Sequence, residues 1–167
     1  HLVVDPGESR ANLALLMKRL AGRHTRRLNQ LHDRSGTAWE GRYKCSPIDT
    51  RAYLLACTRY VELNPVRAGM AKDPAEYRWS SFRPRMGLEA QGILDLDPSF
   101  LSLGATLEAQ RLMFRQWIAA RIEASELDLI RTSLQRNQLT GSEESALELA
   151  GRAGTRLIKR GRGRPRR

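Results

Sequence analysis

The sequence predicts an α+β fold, because runs with the period of a helix are combined with two short stretches typical of strands. His1-Leu2-Val3-Val4 has the composition of the end of a buried strand, and the turn Asp5-Pro6-Gly7 closes it. The stretch from Trp39 to Ile48 interleaves aromatic and basic residues, and we expect a second strand there. The residues alone therefore predict two strands and about five helices.

The first helix is expected to start after Ser9 as its N-cap and to end at Arg34-Ser35-Gly36. Apolar residues and one histidine recur between these points at spacings of three and four, which places them on one face of a helix. This apolar stripe consists of Leu13, Leu16, Met17, Leu20, His24, Leu28 and Leu31.

A second helix is predicted from about Arg51 to Asn64, with Asp49-Thr50 as its cap. One face of this helix carries Tyr53, Cys57, Tyr60 and Asn64. Leu54 and Val61 lie on an adjoining stripe, which we expect to pack against a sheet.

The rest of the chain predicts more helix and then a basic tail. Trp79 and Phe82 are expected to anchor the segment 76–82 on the domain. Helical patterns follow at 107–122, at 127–134 and from Gly141 to about Ala150. We therefore expect a catalytic domain at 1–88, a linker at 89–105, a helical extension at 106–151 and a tail at 152–167, disordered when free.

The charge balance predicts a nucleic-acid partner. The chain has 29 Lys and Arg against 18 Asp and Glu, a net charge of +11 and a pI near 10.7. Arginine far outnumbers lysine, which suits bidentate phosphate contacts, although a GC-rich genome would give the same bias. Long apolar runs are absent, so a membrane partner is not expected. Cys45 and Cys57 have neither zinc-ligand spacing nor a disulfide framework.

Several groups of cations are candidate DNA contacts. The first helix has Lys18 and four arginines opposite its apolar stripe, with no acid between Ser9 and Leu31. A solvated basic face is the alternative interpretation. The tail has eight Lys and Arg and no acid, and its Gly-Arg-Pro unit resembles a minor-groove arm. The predicted DNA-binding residues are Arg19, Arg23, Arg26, Arg27, Arg42, Lys44, Arg59, Arg67, Arg162, Arg164 and Arg166.

Tyr60 and Asn64 lie four residues apart, so the phenol and the amide share one helix face near Pro65. A helical tyrosine is more often a packing residue than a reactive one. His1 and Asn64 could share one divalent cation, beside which Tyr60 could attack a phosphodiester. One histidine and one amide, however, do not fill a metal site.

Three segments resemble a known family in order and spacing: RSGTAWEGRYKCSPID, YLLACTRYVELNPVRAGM and DPAEYRWSSF. They are similar to the REP-associated tyrosine transposases of bacteria, single-tyrosine transposases of the HUH endonuclease superfamily. The resemblance covers about residues 1–86, and YVELNPVRAG is its most specific element. LTGSEE and the terminal GRGRPRR give a weaker match.

The resemblance implies an antiparallel ferredoxin-like sheet, with Tyr60 as nucleophile and with Asn64 and His1 as ligands of Mg²⁺ or Mn²⁺. His1 matches the second histidine of a His-hydrophobic-His motif, and we expect the first histidine upstream of residue 1. This fragment would then lack a metal ligand. The implied reaction cleaves and rejoins single-stranded DNA beside a hairpin through a 5′-phosphotyrosine, without a nucleotide cofactor.

Two other functions fit the same residues. One is a non-catalytic hairpin or nucleic-acid-binding protein derived from a transposase, and the other is a basic accessory protein with a helical tail. The expected partner is single-stranded or hairpin DNA, the expected state is monomer or homodimer, and the expected location is the bacterial cytoplasm, at the nucleoid.

Overall fold

The structure, a computed structural model, describes residues 1–49, 51–120, 122–142 and 144. The chain divides into an N-terminal unit, His1–Cys45, and a C-terminal unit, Ser46–Arg167. Across the described part of the chain, no helix has the length and apolar character needed to cross a membrane.

The N-terminal unit is built on one long helix, α1 (Arg10–Leu31). Ser9 is its N-cap, as predicted, and its side chain accepts a hydrogen bond from the Ala11 amide. At the other end the amide of His32 donates to the carbonyl of Leu28. The predicted apolar stripe stays partly open, since Leu16, Leu20 and Leu31 are 43%, 47% and 62% exposed.

The C-terminal unit is an assembly of helices in which α2 (Arg51–Glu62) is central. The other helices are α3 (Asn64–Arg67), α4 (Phe82–Arg85), α5 (Pro98–Leu101), α6 (Leu107–Ala119) and α7 (Ala124–Arg136), with a 3₁₀ turn at Pro74–Glu76. The helix α2 packs against α5 and α7, and α5 packs against α6. The helices predicted around 107–122 and 127–134 are thus confirmed as α6 and α7.

Two apolar clusters lie on different sides of α2. The tyrosine cluster contains Ala56, Cys57, Tyr60 and Ile130, with Ile48, Val61 and Leu127 against it. The phenylalanine cluster contains Phe82, Phe100, Phe114 and Ile118, and Leu55 and Leu63 of the α2 segment pack on it. Because both clusters include residues of α2, burial on two sides fixes the rotation of this helix.

The predicted α+β class is wrong for the part of the chain that the structure describes, which is mostly helical and has no sheet. His1–Val4 is extended coil with Leu2 61% exposed, since no neighbouring strand pairs with it. Such a short apolar run cannot reveal by its pattern alone whether it has a partner. Val61 consequently packs against the tyrosine cluster of a helical assembly and not against a sheet, and Leu54 is half-buried.

The second predicted strand, Trp39–Ile48, is also irregular apart from one bridge between Ile48 and Thr140. The Thr140 amide donates to the Pro47 carbonyl at 2.8 Å, and the Asp49 amide donates to the Thr140 carbonyl at 3.2 Å. Here aromatic and basic residues mark an exposed loop, because Trp39 and Tyr43 are 48% and 42% exposed.

The segment 76–82 is anchored by only one of its two expected residues. Phe82 is 1% exposed in the phenylalanine cluster, whereas Trp79 is 75% exposed, with the Arg78 guanidinium 4.7 Å from its ring centroid. Phe100 of α5, in the predicted linker 89–105, is fully buried. The predicted boundaries at 88, 105 and 151 stay predictions. The helix expected from Gly141 to Ala150 and the cap residue Thr50 fall mainly outside the described residues.

A buried ion network joins α2, α4 and α5. Arg85, 4% exposed, places Nη1 3.1 Å from Oδ2 of Asp97 and Nε 3.5 Å from Oε1 of Glu62. Glu62 is fully buried and accepts a hydrogen bond of 2.7 Å from the Ser81 hydroxyl. Burial raises the pKa of the Glu62 carboxyl, and the Ser81 and Arg85 contacts oppose that rise.

We predict that Arg85→Met lowers the free energy of unfolding by about 3–5 kcal/mol, because it leaves a buried carboxylate without its cation. Urea denaturation followed by circular dichroism measures this change. Arg83→Met is the matched control on the same helix, since the Arg83–Glu89 pair is 33% and 44% exposed. It should cost about 1 kcal/mol or less. An equal decrease in the free energy of unfolding for Arg85→Met and Arg83→Met would contradict a special role for Arg85.

Candidate functional site

Tyr60, the predicted nucleophile, lies on α2 and is only 8% exposed. It belongs to the tyrosine cluster, in which Ile130 and Leu127 come from α7. Cys57, one turn earlier on the same helix face, is also buried, and burial raises the pKa of its thiol to about 11, with a further contribution from Glu126. The helix face expected to carry chemistry is therefore packed against α7.

Arg67 makes two contacts with Tyr60. Its Cζ lies 4.1 Å from the centroid of the tyrosine ring, and its Nη2 donates a 2.7 Å hydrogen bond to the Tyr60 carbonyl. Burial lowers the pKa of the Arg67 guanidinium, Tyr60 raises it, and the nearby charge of Arg131 lowers it. A cation is thus held against the face of the candidate nucleophile.

Arg59, the other arginine of the motif, is enclosed in the C-terminal unit with 4% exposure. Its Nη2 donates a 2.5 Å hydrogen bond to the Ala120 carbonyl, and its Cζ lies 4.6 Å from the Trp117 ring centroid. Burial lowers the pKa of this guanidinium, and the charge of Glu126 raises it. Arg59 thereby links α2 to the end of α6.

Asn64 is half-buried and begins α3, a four-residue helix that follows α2 after Leu63 alone. The backbone of Leu63 keeps nearly helical angles, so Tyr60 and Asn64 are about one helical turn apart, as predicted. Pro65 does not end the helical path, because it occupies the first turn of α3, where its missing amide proton has no helical partner.

The two predicted metal ligands belong to different units of the chain. His1 is an exposed coil residue of the N-terminal unit, and Asn64 belongs to the C-terminal unit. Among the described residues, no three His, Cys, Asp or Glu side chains form a group able to hold a metal ion. The Mg²⁺ or Mn²⁺ requirement stays a prediction from the family resemblance, and no chemical step is derived through a metal below.

The basic residues of the N-terminal unit are open to solvent. All four predicted arginines of α1 are exposed, as are Arg42 and Lys44 in the loop that follows. Within the described residues none of the six forms an ion pair, so their charge is available to an anionic partner. The α1 arginines are Arg19, Arg23, Arg26 and Arg27. The predicted tail contacts Arg162, Arg164 and Arg166 lie outside the described residues.

The sequence interpretation singled out Trp39 but missed the polar residues near it. Trp39 contacts α1, because its Nε1 donates a 3.3 Å hydrogen bond to the carbonyl of Ala21. Asn29 and Arg34 also bond to the loop between α1 and Trp39. The sequence signal for this arrangement is Gly36, a residue typical of turns. In the structure its φ is 89°, and the chain reverses direction there.

Comparison with protein-family models, with curated proteins and with solved structures gave no match to this chain.

We predict that Arg67→Met lowers the free energy of unfolding by about 1–3 kcal/mol, because a partly desolvated cation–π contact and a hydrogen bond from a charged donor are both lost. Arg78→Met is the matched control, since Arg78 lies over the exposed ring of Trp79 and should contribute about 1 kcal/mol at most. Urea denaturation of both variants gives the comparison. A smaller loss for Arg67→Met than for Arg78→Met would show that the Tyr60 contact is not stabilising.

Proposed function

We propose that this protein acts on single-stranded or hairpin DNA as a tyrosine-dependent strand transferase, with Tyr60 as the nucleophile. The observation that carries the proposal is that the Arg67 guanidinium lies 4.1 Å from the centroid of the Tyr60 ring. Tyr60 itself lies about one helical turn before Asn64. The resemblance of YVELNPVRAG to REP-associated tyrosine transposases supports the same assignment.

The charges around Tyr60 support a role in phosphate binding. Burial lowers the pKa of Arg67, and the charge of Arg131 lowers it further, so Arg131 repels the guanidinium that lies against the Tyr60 ring. A phosphodiester between them would relieve that repulsion and would bring its phosphorus towards the phenol. Guanidinium groups are well suited to this task, because their planar donors match two phosphate oxygens at once.

The proposed reaction forms one bond and breaks one. The Tyr60 oxygen attacks phosphorus and loses its proton to solvent, and the P–O3′ bond breaks as the 3′ oxygen takes up a proton. The product is a 5′-phosphotyrosine, which a 3′-hydroxyl of another end can attack to restore a phosphodiester. Because the covalent link conserves the phosphodiester, no nucleotide cofactor is required.

Burial of Tyr60 sets a condition on this reaction. At 8% exposure the phenol cannot meet a DNA phosphate until the packing of Ile130 and Leu127 of α7 over the tyrosine cluster opens. We therefore expect catalysis to be slow unless DNA binding favours that opening. The same burial favours a second candidate function, a hairpin-binding protein without catalytic activity.

A covalent-trapping experiment distinguishes the two candidates. The full chain is incubated with a 5′-extended hairpin oligonucleotide labelled at its 3′ end, with Mg²⁺ or Mn²⁺ supplied, and is then run on a denaturing gel. We predict a labelled protein band that Tyr60→Phe abolishes, because this substitution removes the attacking hydroxyl and keeps the aromatic ring. Tyr53→Phe, two turns earlier on α2, is the matched control and should keep the band.

The outcomes separate cleanly. A band that persists in Tyr60→Phe would exclude Tyr60 as the nucleophile. Hairpin binding without any adduct would refute strand transfer and leave the non-catalytic candidate. An absence of hairpin binding as well would refute both functions.

A further inference from the structure

The N-terminal unit contains a groove of about 650 Å³, whose lining includes Arg26, one of the predicted DNA-binding residues. It lies between the second half of α1 and the loop that leads to Trp39. The loop folds back because Asp33 and Gly36 adopt positive φ angles of 43° and 89°. The groove is shallow and open to solvent. We name this site the Trp39 groove.

Trp39 is fixed in position although half of it is exposed. Its indole Nε1 donates to the Ala21 carbonyl at 3.3 Å, and its backbone amide donates to Oγ1 of Thr37 at 3.1 Å. The His24 ring lies 5.3 Å away between centroids, at an angle of 54°. A large ring that is held in place and 48% exposed can stack on a planar ligand with little loss of conformational entropy.

The polar lining of the groove suits a nucleotide. Arg26 is exposed, and Arg34 donates from Nη2 to the Thr37 carbonyl at 3.2 Å, which orients its guanidinium within the lining. Asn29 donates from Nδ2 to the Gly36 carbonyl at 3.0 Å, yet its Oδ1 is buried and accepts no hydrogen bond from the described residues. This oxygen has no accessible surface, and the charged groups that a ligand can reach in the groove are those of the two arginines.

We propose that the Trp39 groove binds one unpaired base of single-stranded DNA. The base stacks on Trp39, and Arg26 and Arg34 contact the adjoining phosphates. This inference rests on the proposed function, since it names how the DNA substrate is held. It predicts little sequence preference, because every base offers a π-face.

The geometry disfavours other occupants. Within a duplex the bases are stacked and paired, so a duplex could use only the phosphate contacts of the groove. A purely apolar ligand would gain nothing from the two arginines.

Binding of a fluorescent, mixed-sequence single-stranded oligonucleotide to the full chain, measured by anisotropy over a range of salt concentrations, tests the proposal. Trp39→Ala should weaken binding by about fivefold or more, and Trp39→Phe should keep most of the affinity because the aromatic face remains. Trp39→Ala should leave the salt dependence unchanged, because stacking releases no counterions. Arg26→Gln should instead reduce the slope by about 0.7.

The matched control is Trp79→Ala, which removes an exposed tryptophan from the C-terminal unit and should leave binding unchanged. A second control changes the DNA: an oligonucleotide with abasic sites should bind the wild-type chain more weakly than the intact oligonucleotide does. Trp39→Ala should bind the abasic oligonucleotide no worse than the wild type does. A duplex of the same sequence should bind both proteins equally.

Three results would overturn the inference. If Trp39→Ala binds the intact oligonucleotide as tightly as the wild type, the groove holds no base, although the proposed DNA function survives. If abasic and intact oligonucleotides bind the wild-type chain equally, the same conclusion follows without any substitution. If the wild-type chain binds no single-stranded DNA at all, the proposed function fails together with the inference.

Discussion

The guanidinium of Arg85 lies between the carboxylates of Glu62 and Asp97, and the C-terminal unit depends on this arrangement. The guanidinium carbon is also 5.2 Å and 5.4 Å from the ring centroids of Phe100 and Phe114, so apolar packing surrounds the charges. Charges removed from water in this way are tolerated only when they are paired. The network therefore requires α2, α4 and α5 to meet in one geometry. Glu62 is the last residue of α2, Arg85 is the last residue of α4, and Asp97 is the N-cap of α5.

This constraint determines where the candidate site can be. Glu62 is the last residue of α2, and Leu63 directly after it packs on the phenylalanine cluster, while Tyr60 of α2 packs with residues of α7. Arg59 and Arg67 are engaged within the same unit, one with Ala120 and Trp117 and the other with Tyr60 itself. The exposed cations among the predicted DNA contacts of the described residues, in contrast, lie in the N-terminal unit, and so does the Trp39 groove. The groove proposed to hold a base and the proposed nucleophile therefore belong to different units of the chain.

The helices were largely predictable, whereas the pairing of distant residues was not. Periodic leucines and the Ser9 cap identify α1, and similar local signals identify α6 and α7. The predictions of strands at His1–Val4 and Trp39–Ile48 were wrong, because a strand needs a partner that a local pattern cannot specify. Glu62 had no assigned role, since its partner Arg85 is far away in sequence. The spacing of Tyr60 and Asn64 was predictable, but the cover of α7 over the tyrosine was not.

We propose that this strongly basic chain binds unpaired DNA through its exposed arginines and Trp39. The most direct measurement is the affinity of the full chain for a single-stranded hairpin oligonucleotide as a function of salt concentration. The account predicts that the logarithm of the association constant falls linearly with the logarithm of salt concentration, with a slope of about −0.7 for each phosphate contact. Binding that is undetectable at low salt, or that does not change with salt, would contradict it.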